Sequence, residues 1–140
     1  MNRSLVLDAN ILIRAVLGQR VRRLIVDYHE RVALFAPRIA FDDAQRHLPG
    51  LIAKRGIDPV LALDVADQIA SLVVPVDAAD YEAARDAAVA RIARRDVADW
   101  PVIALALVFD CPIWTEDNDF FGTGIPTWTT DRVELYFRNT

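Results

Sequence analysis

The sequence predicts an α/β fold, a mostly parallel sheet covered by helices on both faces. Three observations carry this. Short apolar runs of strand character alternate with longer stretches whose apolar residues recur at helical spacing, the order that builds parallel sheets. The strand-like runs, "SLVL" and "VALF" among them, are apolar throughout and so read as buried on both faces. The chain has 140 residues, 54% of them hydrophobic and 26% charged, which suits a single domain, residues 1–140, with its own core.

The elements follow in order. "SLVLDA" reads as a buried strand ending at Asp8, and "NILIRAVL" as a helix that stops near Gly18. "VRRLIVDYHE" places Val21, Leu24, Ile25 and Tyr28 on one helical face. "VALFAP" is a second strand, closed by Pro37. "RIAFDDAQRHL" and "GLIAKRG" read as two helical segments broken at Pro49 and Gly50. "DPVLALDVADQIASL" opens with an Asp cap and a proline in the first turn. "VVPVD" is a short strand or extended link, "DYEAARDAAVARIA" an alanine-rich helix, and "ADWPVIALALVF" a helix that tolerates Pro101 only in its first turn. "PIWT" and "IPTWTT" are strands, and "DRVELYF" closes the fold as a helix or helical turn.

Composition excludes several classes. No apolar run reaches the length that spans a bilayer, and the apolar core of "MNRSLVLDAN" is too short for a signal peptide. A lone cysteine, Cys111, rules out an intramolecular disulfide and a cysteine metal cage, so a reducing cytoplasm is the expected compartment. The net charge of −4 argues against nucleic-acid binding only if charge is spread evenly, and here it is not. Lys54 is the only lysine; the other basic residues are arginines, with clusters at Arg20, Arg22, Arg23 and at Arg91, Arg94, Arg95. Arginine makes planar, bidentate contacts with phosphate that lysine cannot.

The acids carry the chemistry. Ligand sites in open parallel sheets lie beyond the carboxyl ends of the strands. Asp8 ends the first strand, Asp117 stands just past the end of "PIWT", Asp96 and Asp99 stand at a helix entrance, and Asp42 and Asp43 lie about one turn into another helix. Each has a plain structural reading as turn former, cap or solvated acid, but together they converge on one sheet edge. Two carboxylates ~4 Å apart repel by about 4 kcal/mol at an effective dielectric of 20. A cluster of them therefore needs protons or a cation. An all-oxygen donor set selects Mg²⁺ or Mn²⁺, which supports phosphodiester hydrolysis. A phosphoacceptor receiver domain would need a late lysine, and a haloacid-dehalogenase-type phosphatase a second Asp where Asn10 stands. No phosphate-binding loop or dinucleotide fingerprint is present. His29 and His47 have no Ser or Cys elbow nearby, and His47 reads as a surface residue.

"LVLDANILI", "RIAFDDAQ", "RDVADWPVIALAL" and "PIWTEDNDFFGTGIPTW" together resemble the PIN-domain family, most closely the bacterial VapC-type toxins. The resemblance covers nearly the whole chain and implies a three-layer α/β/α domain. It implies four catalytic acids, Asp8, Asp43, Asp99 and Asp117, of which Asp8, Asp99 and Asp117 would bind the metal. Asn10, Asp96, Thr115 and Asp119 would support them, Phe120 would plug the loop into the core, and Glu116 would be solvated. The family's second acid is usually Glu; here Asp42 and Asp43 stand adjacent, and because helical neighbours point about 100° apart only one faces the cleft. The implied function is a Mg²⁺- or Mn²⁺-dependent endoribonuclease, the toxin of a pair with a small VapB-like antitoxin and a homodimer. Arginines around Arg14, Arg20, Arg22 and Arg23 would hold the RNA backbone. The alternatives are a non-catalytic PIN-like RNA-binding module and a structure-specific DNA nuclease.

Overall fold

A computed structural model describes residues 3–92 and 96–138. Its centre is a five-stranded, all-parallel sheet: β1 (Arg3–Leu7), β2 (Val32–Pro37), β3 (Val74–Val76), β4 (Ile113–Trp114) and β5 (Thr127–Trp128), in the order β3-β2-β1-β4-β5. The helices among the described residues are α1 (Ala9–Leu17), α2 (Gln19–Tyr28), α3 (Arg38–Arg55), α4 (Pro59–Leu72), α5 (Arg85–Ile92), α6 (Trp100–Phe109) and α7 (Val133–Arg138). No helix of the described residues is long and apolar enough to cross a membrane.

The strand pleat sorts side chains into two cores. Leu5 and Leu7 of β1 pack with Leu34, Trp114 and the buried faces of α1, α2 and α7. Val6, between them in sequence, points the other way and packs with Ile113, Ile92 and the apolar length of α6. This period of two on a fully buried strand is what a sheet sandwiched between helices requires. α6 is buried over most of its circumference, which explains why its sequence shows no polar stripe. Val16, Leu48, Ile52 and Ala62 form a smaller cluster where α1, α3 and α4 meet.

Two expectations need correction. The chain does not break at Pro49 and Gly50: α3 runs unbroken through both. Pro49 deprives the exposed Gln45 of a helical donor, but water reaches that face. Leu48 and Ile52 are buried on either side of the proline, so packing holds the helical phase across it. The alanine-rich segment is also less helical than its composition implies. Residues Ala78–Asp80 and Glu82–Ala84 form tight 3-10 turns, and α5 begins only at Arg85. The side chain between these turns, Tyr81, is 3% exposed and packs edge-on against Trp100 at 5.7 Å, so its burial fixes the bend. The end of that expected helix at Ala93, with Arg94 and Arg95, lies outside the described residues.

The chain winds outward from β1 to β2 and β3 and then adds β4 and β5 on the other side of β1, so the strand order switches between β1 and β4. Leu7 pairs with Trp114 across β1 and β4, so the next residues, Asp8 and Thr115, emerge side by side at the carboxyl edge. That is the position at which open sheets build their sites.

Candidate active site

Asp8 is 6% exposed and uses both carboxylate oxygens. Oδ1 accepts from the backbone N–H of Ile11 at 3.0 Å, capping α1, and Oδ2 accepts from the hydroxyl of Thr115. The same Thr115 oxygen accepts from the N–H of Asp117 at 2.9 Å, and Asp117 Oδ1 accepts from the N–H of Asp119, also at 2.9 Å. A chain of hydrogen bonds thus joins the end of β1 to the loop after β4. Phe120, fully buried, anchors that loop in the second core. Glu116 is not simply solvated: its Oε1 accepts from the N–H of Thr130 at 2.6 Å and ties the loop to the segment after β5.

Asp99 ends a 3-10 turn, Val97–Asp99, at the entrance of α6. It occupies the cap position but makes no capping bond, whereas Asp96 does cap, accepting from the N–H of Ala98 at 3.0 Å. The Oδ2 atom of Asp99 is buried and has no hydrogen-bond partner among the described residues. Oxygen atoms of Asp99, Asp117 and Asp119 lie within 4.8 Å of one another. Asp119, expected as a support, therefore sits in one carboxylate group with Asp99 and Asp117, while Asp8 is hydrogen-bonded, buried and outside that group.

Electrostatics follow from this crowding. The Asp99 carboxyl is pushed up to about 7, first by burial and then by the charges of Asp96, Asp117, Asp8 and Asp119. Burial likewise raises Asp8 to about 6, against the pull of its bonds from Thr115 and Ile11; Asp117 and Glu116 add smaller repulsions.

Asp8, Asp99 and Asp117 line one cleft of about 430 Å³, together with Asn10, Asp43 and Asp96. Asn10 is exposed at its mouth. Asp43 faces the cleft; the exposed Asp42 does not line it. The Asp43 carboxylate is paired with Arg46 on the same helix and stands outside the Asp99–Asp117–Asp119 group. Arg46 and His47 also line the cleft, and His47 Nδ1 donates to the carbonyl of Asp43 at 2.8 Å. His47 is exposed, as the sequence predicts for a surface residue, yet it also lines the cleft, and Arg46 is not among the residues expected there. Their spacing of three and four from Asp43 carries the signal, since such positions share a helical face. The Arg22 guanidinium, expected on RNA, instead donates to the carbonyls of Ala15 and Val16 at the end of α1.

The donor set fits a hard divalent cation. It is built of carboxylate oxygens, one of them buried and without a hydrogen-bond partner among the described residues, and two of its acids are raised by burial and by the charges of neighbouring carboxylates.

A family model described as PIN domain matches residues 6–138 of this chain. No curated protein matches it.

Proposed function

The chain belongs to the PIN-domain family, and from that premise we propose that it is a metal-dependent endoribonuclease that hydrolyses RNA phosphodiester bonds, the toxin of a toxin–antitoxin pair. PIN domains are generally metal-dependent nucleases. The observation that carries the reading is the convergence of Asp99, Asp117 and Asp119 within 4.8 Å, with a buried oxygen on Asp99 that has no hydrogen-bond partner among the described residues.

Asp8, Asp99 and Asp117, with Asp119 beside them, would hold the cation, Mg²⁺ or Mn²⁺, which supplies Lewis-acid activation of water and offsets charge on the phosphate. The chain's own contribution is placement. Thr115 fixes the rotamer of Asp8 and the backbone of Asp117 at once, so two acids from opposite ends of the sequence keep one spacing. Asp43 faces the cleft from α3, poised to orient a water opposite the other acids, and Arg46 holds it in place. Residues outside the cleft support the remaining parts of the reading. Val60, Leu61 and Leu63 on α4 are exposed apolar residues, consistent with a homodimer or with cover by an antitoxin. A small VapB-like antitoxin would neutralise the cleft with a guanidinium, which suits an acid-lined pocket. The cytoplasm is the compartment in which such a pair would act.

A non-catalytic RNA-binding module is the second reading. It draws on one observation, that Asp43 is engaged by Arg46 rather than by the acid cluster. Incubating the purified protein with mixed RNA and with flap DNA, with Mn²⁺ and with EDTA, tests both. RNA cleavage that needs Mn²⁺ and stops in EDTA is expected. Binding without cleavage would favour the module, and cleavage confined to flap DNA would overturn the choice of substrate.

A further inference from the structure

Next to the acidic cleft lies a second groove, of about 610 Å³. The two share Asn10, Ile13, Leu51 and Asp117, so they form one continuous depression. Its lining is mixed: Asp117, shared with the cleft, and Glu116 are acidic, while Arg14, Arg20 and Arg55, which line the second groove only, are basic. These arginines come from three different helices, α1, the start of α2 and the end of α3. All three are exposed, while Ile13, Leu17 and Leu51, which line the same groove, are half-buried.

Most other arginines of the described fold have local work. Arg3, Arg22 and Arg91 donate to backbone carbonyls, and Arg38, Arg46 and Arg138 pair with acids. Arg14 and Arg55 make no ion pair among the described residues. Arg20 lies 3.9 Å from Asp131, but their side chains are 66% and 92% exposed, a pair of little worth. Guanidiniums left without protein partners around a groove are the footprint of an external anion. A groove that combines them with an apolar floor suits a single strand, whose bases need a surface and whose phosphates need charge.

We propose that this groove is the track on which an RNA strand approaches the acidic cleft. Arg14, Arg20 and Arg55 contact the phosphates of nucleotides adjoining the scissile bond, and Ile13, Leu17 and Leu51 carry a base. The inference rests on the ribonuclease reading for its substrate, and adds the direction: the strand leaves the cleft past Asp117 toward α2, not toward Arg23, which lines neither cavity.

Binding and cleavage test it separately. Fluorescence anisotropy of a labelled single-stranded oligoribonucleotide, in EDTA and across a salt series, would compare the full chain with Arg14→Ala, Arg55→Ala, the double variant and Arg23→Ala. Each groove variant should weaken binding severalfold and lower the slope of log affinity against log salt by about 0.7 for each phosphate no longer neutralised. Arg23→Ala, with the same loss of charge, should bind as the unaltered protein does. Groove variants indistinguishable from Arg23→Ala, or an unaltered protein that does not bind RNA, would overturn the track. Cleavage is scored in Mn²⁺ alongside. Groove-dependent binding without any cleavage sinks the ribonuclease reading and leaves the track standing; cleavage with binding unchanged in the variants does the reverse.

Discussion

Thr115 donates its hydroxyl proton to the carboxylate of Asp8, a residue 107 positions earlier in the chain. The bond is buried, and the same oxygen receives the N–H of Asp117. One side chain therefore sets the distance between the strand-end acid and the loop acid. Sheet register makes it possible, because Leu7 and Trp114 are paired neighbours.

Thr115→Val should leave a folded protein with a damaged site. Valine keeps the shape but strands an oxygen of Asp8 and frees the N–H of Asp117, a penalty of roughly 1–3 kcal/mol in stability. Partners that orient metal ligands typically govern 10- to 100-fold in activity or affinity, so cleavage should fall by about that factor. Thr115→Ser keeps the hydroxyl and should restore most of both. Equal activity of the valine and serine variants would show that the bond does not position the acids.

Asp99→Asn and Asp117→Asn should each abolish most RNA cleavage while melting as cooperative, folded proteins. Asparagine keeps the shape and loses the charge, and loss of one electrostatic group at a reacting centre costs on the order of 10²–10³ in rate. Asp119→Asn should also lose activity, because its carboxylate lies in the same group. Single-turnover cleavage rates, with circular dichroism as the check on folding, decide the matter; a well-folded Asp99→Asn protein cutting at the unaltered rate would refute the site.

Asp43→Ala should reduce cleavage far more than Asp42→Ala, since only Asp43 lines the cleft. Arg46→Ala separates two roles for the arginine. If Arg46 merely holds Asp43, its loss should lower the rate less than the loss of Asp43 itself, and the double variant should be no worse than Asp43→Ala. Additive losses would mean that Arg46 acts independently of Asp43, and similar small effects at positions 42 and 43 would favour the binding module.

How much of this was legible depended on the distance over which each feature is fixed. The strand end at Asp8, the cap at Asp58 and the buried Phe120 are local or nearly so, and the sequence shows them. The choice between Asp42 and Asp43 was a question of helical phase, and the preceding apolar run obscured it. Ala40 is buried, yet Ile39 is 50% exposed, so hydrophobicity there does not mark the inner face. The continuity of α3 through Pro49 depends on packing against α1 and α4, which no local rule contains. The place of Asp119 depends on a loop closed by hydrogen bonds from Thr115 and Asp117 and by the tether of Glu116 to Thr130; residue types alone gave no sign of it.

The metal-free fold should be destabilised by its own acids, and Asp99 is where this is measurable. Its folded pKa of about 7 stands well above the ordinary aspartate value of 3.8, and that of Asp8, about 6, does too. Between these limits the native state holds protons that the unfolded chain has released. Stability from these groups is then fully present below about pH 4 and is lost as pH rises through 6 and 7. Favourably paired carboxylates such as Glu134, whose pKa is lowered, act in the opposite sense, so total stability need not follow this trend. The difference between variants isolates it. Asp99→Asn removes the charge and sacrifices no capping bond, because the Asp99 side chain makes none. Discounted for partial exposure, the relief should be roughly 1–2 kcal/mol above pH 7, or several degrees in Tm for a chain of this size. The gap should close toward pH 4. Mn²⁺ should raise the Tm of the unaltered protein more than that of the variant, by mass action on the folded state. Melting curves of both proteins at pH 4 and pH 8, with EDTA and with Mn²⁺, provide the check. If Asp99→Asn is no more stable than the unaltered protein at pH 8 without metal, the burial of the Asp99 charge among Asp96, Asp117, Asp8 and Asp119 does not destabilise the fold, and the case for a cation between them fails.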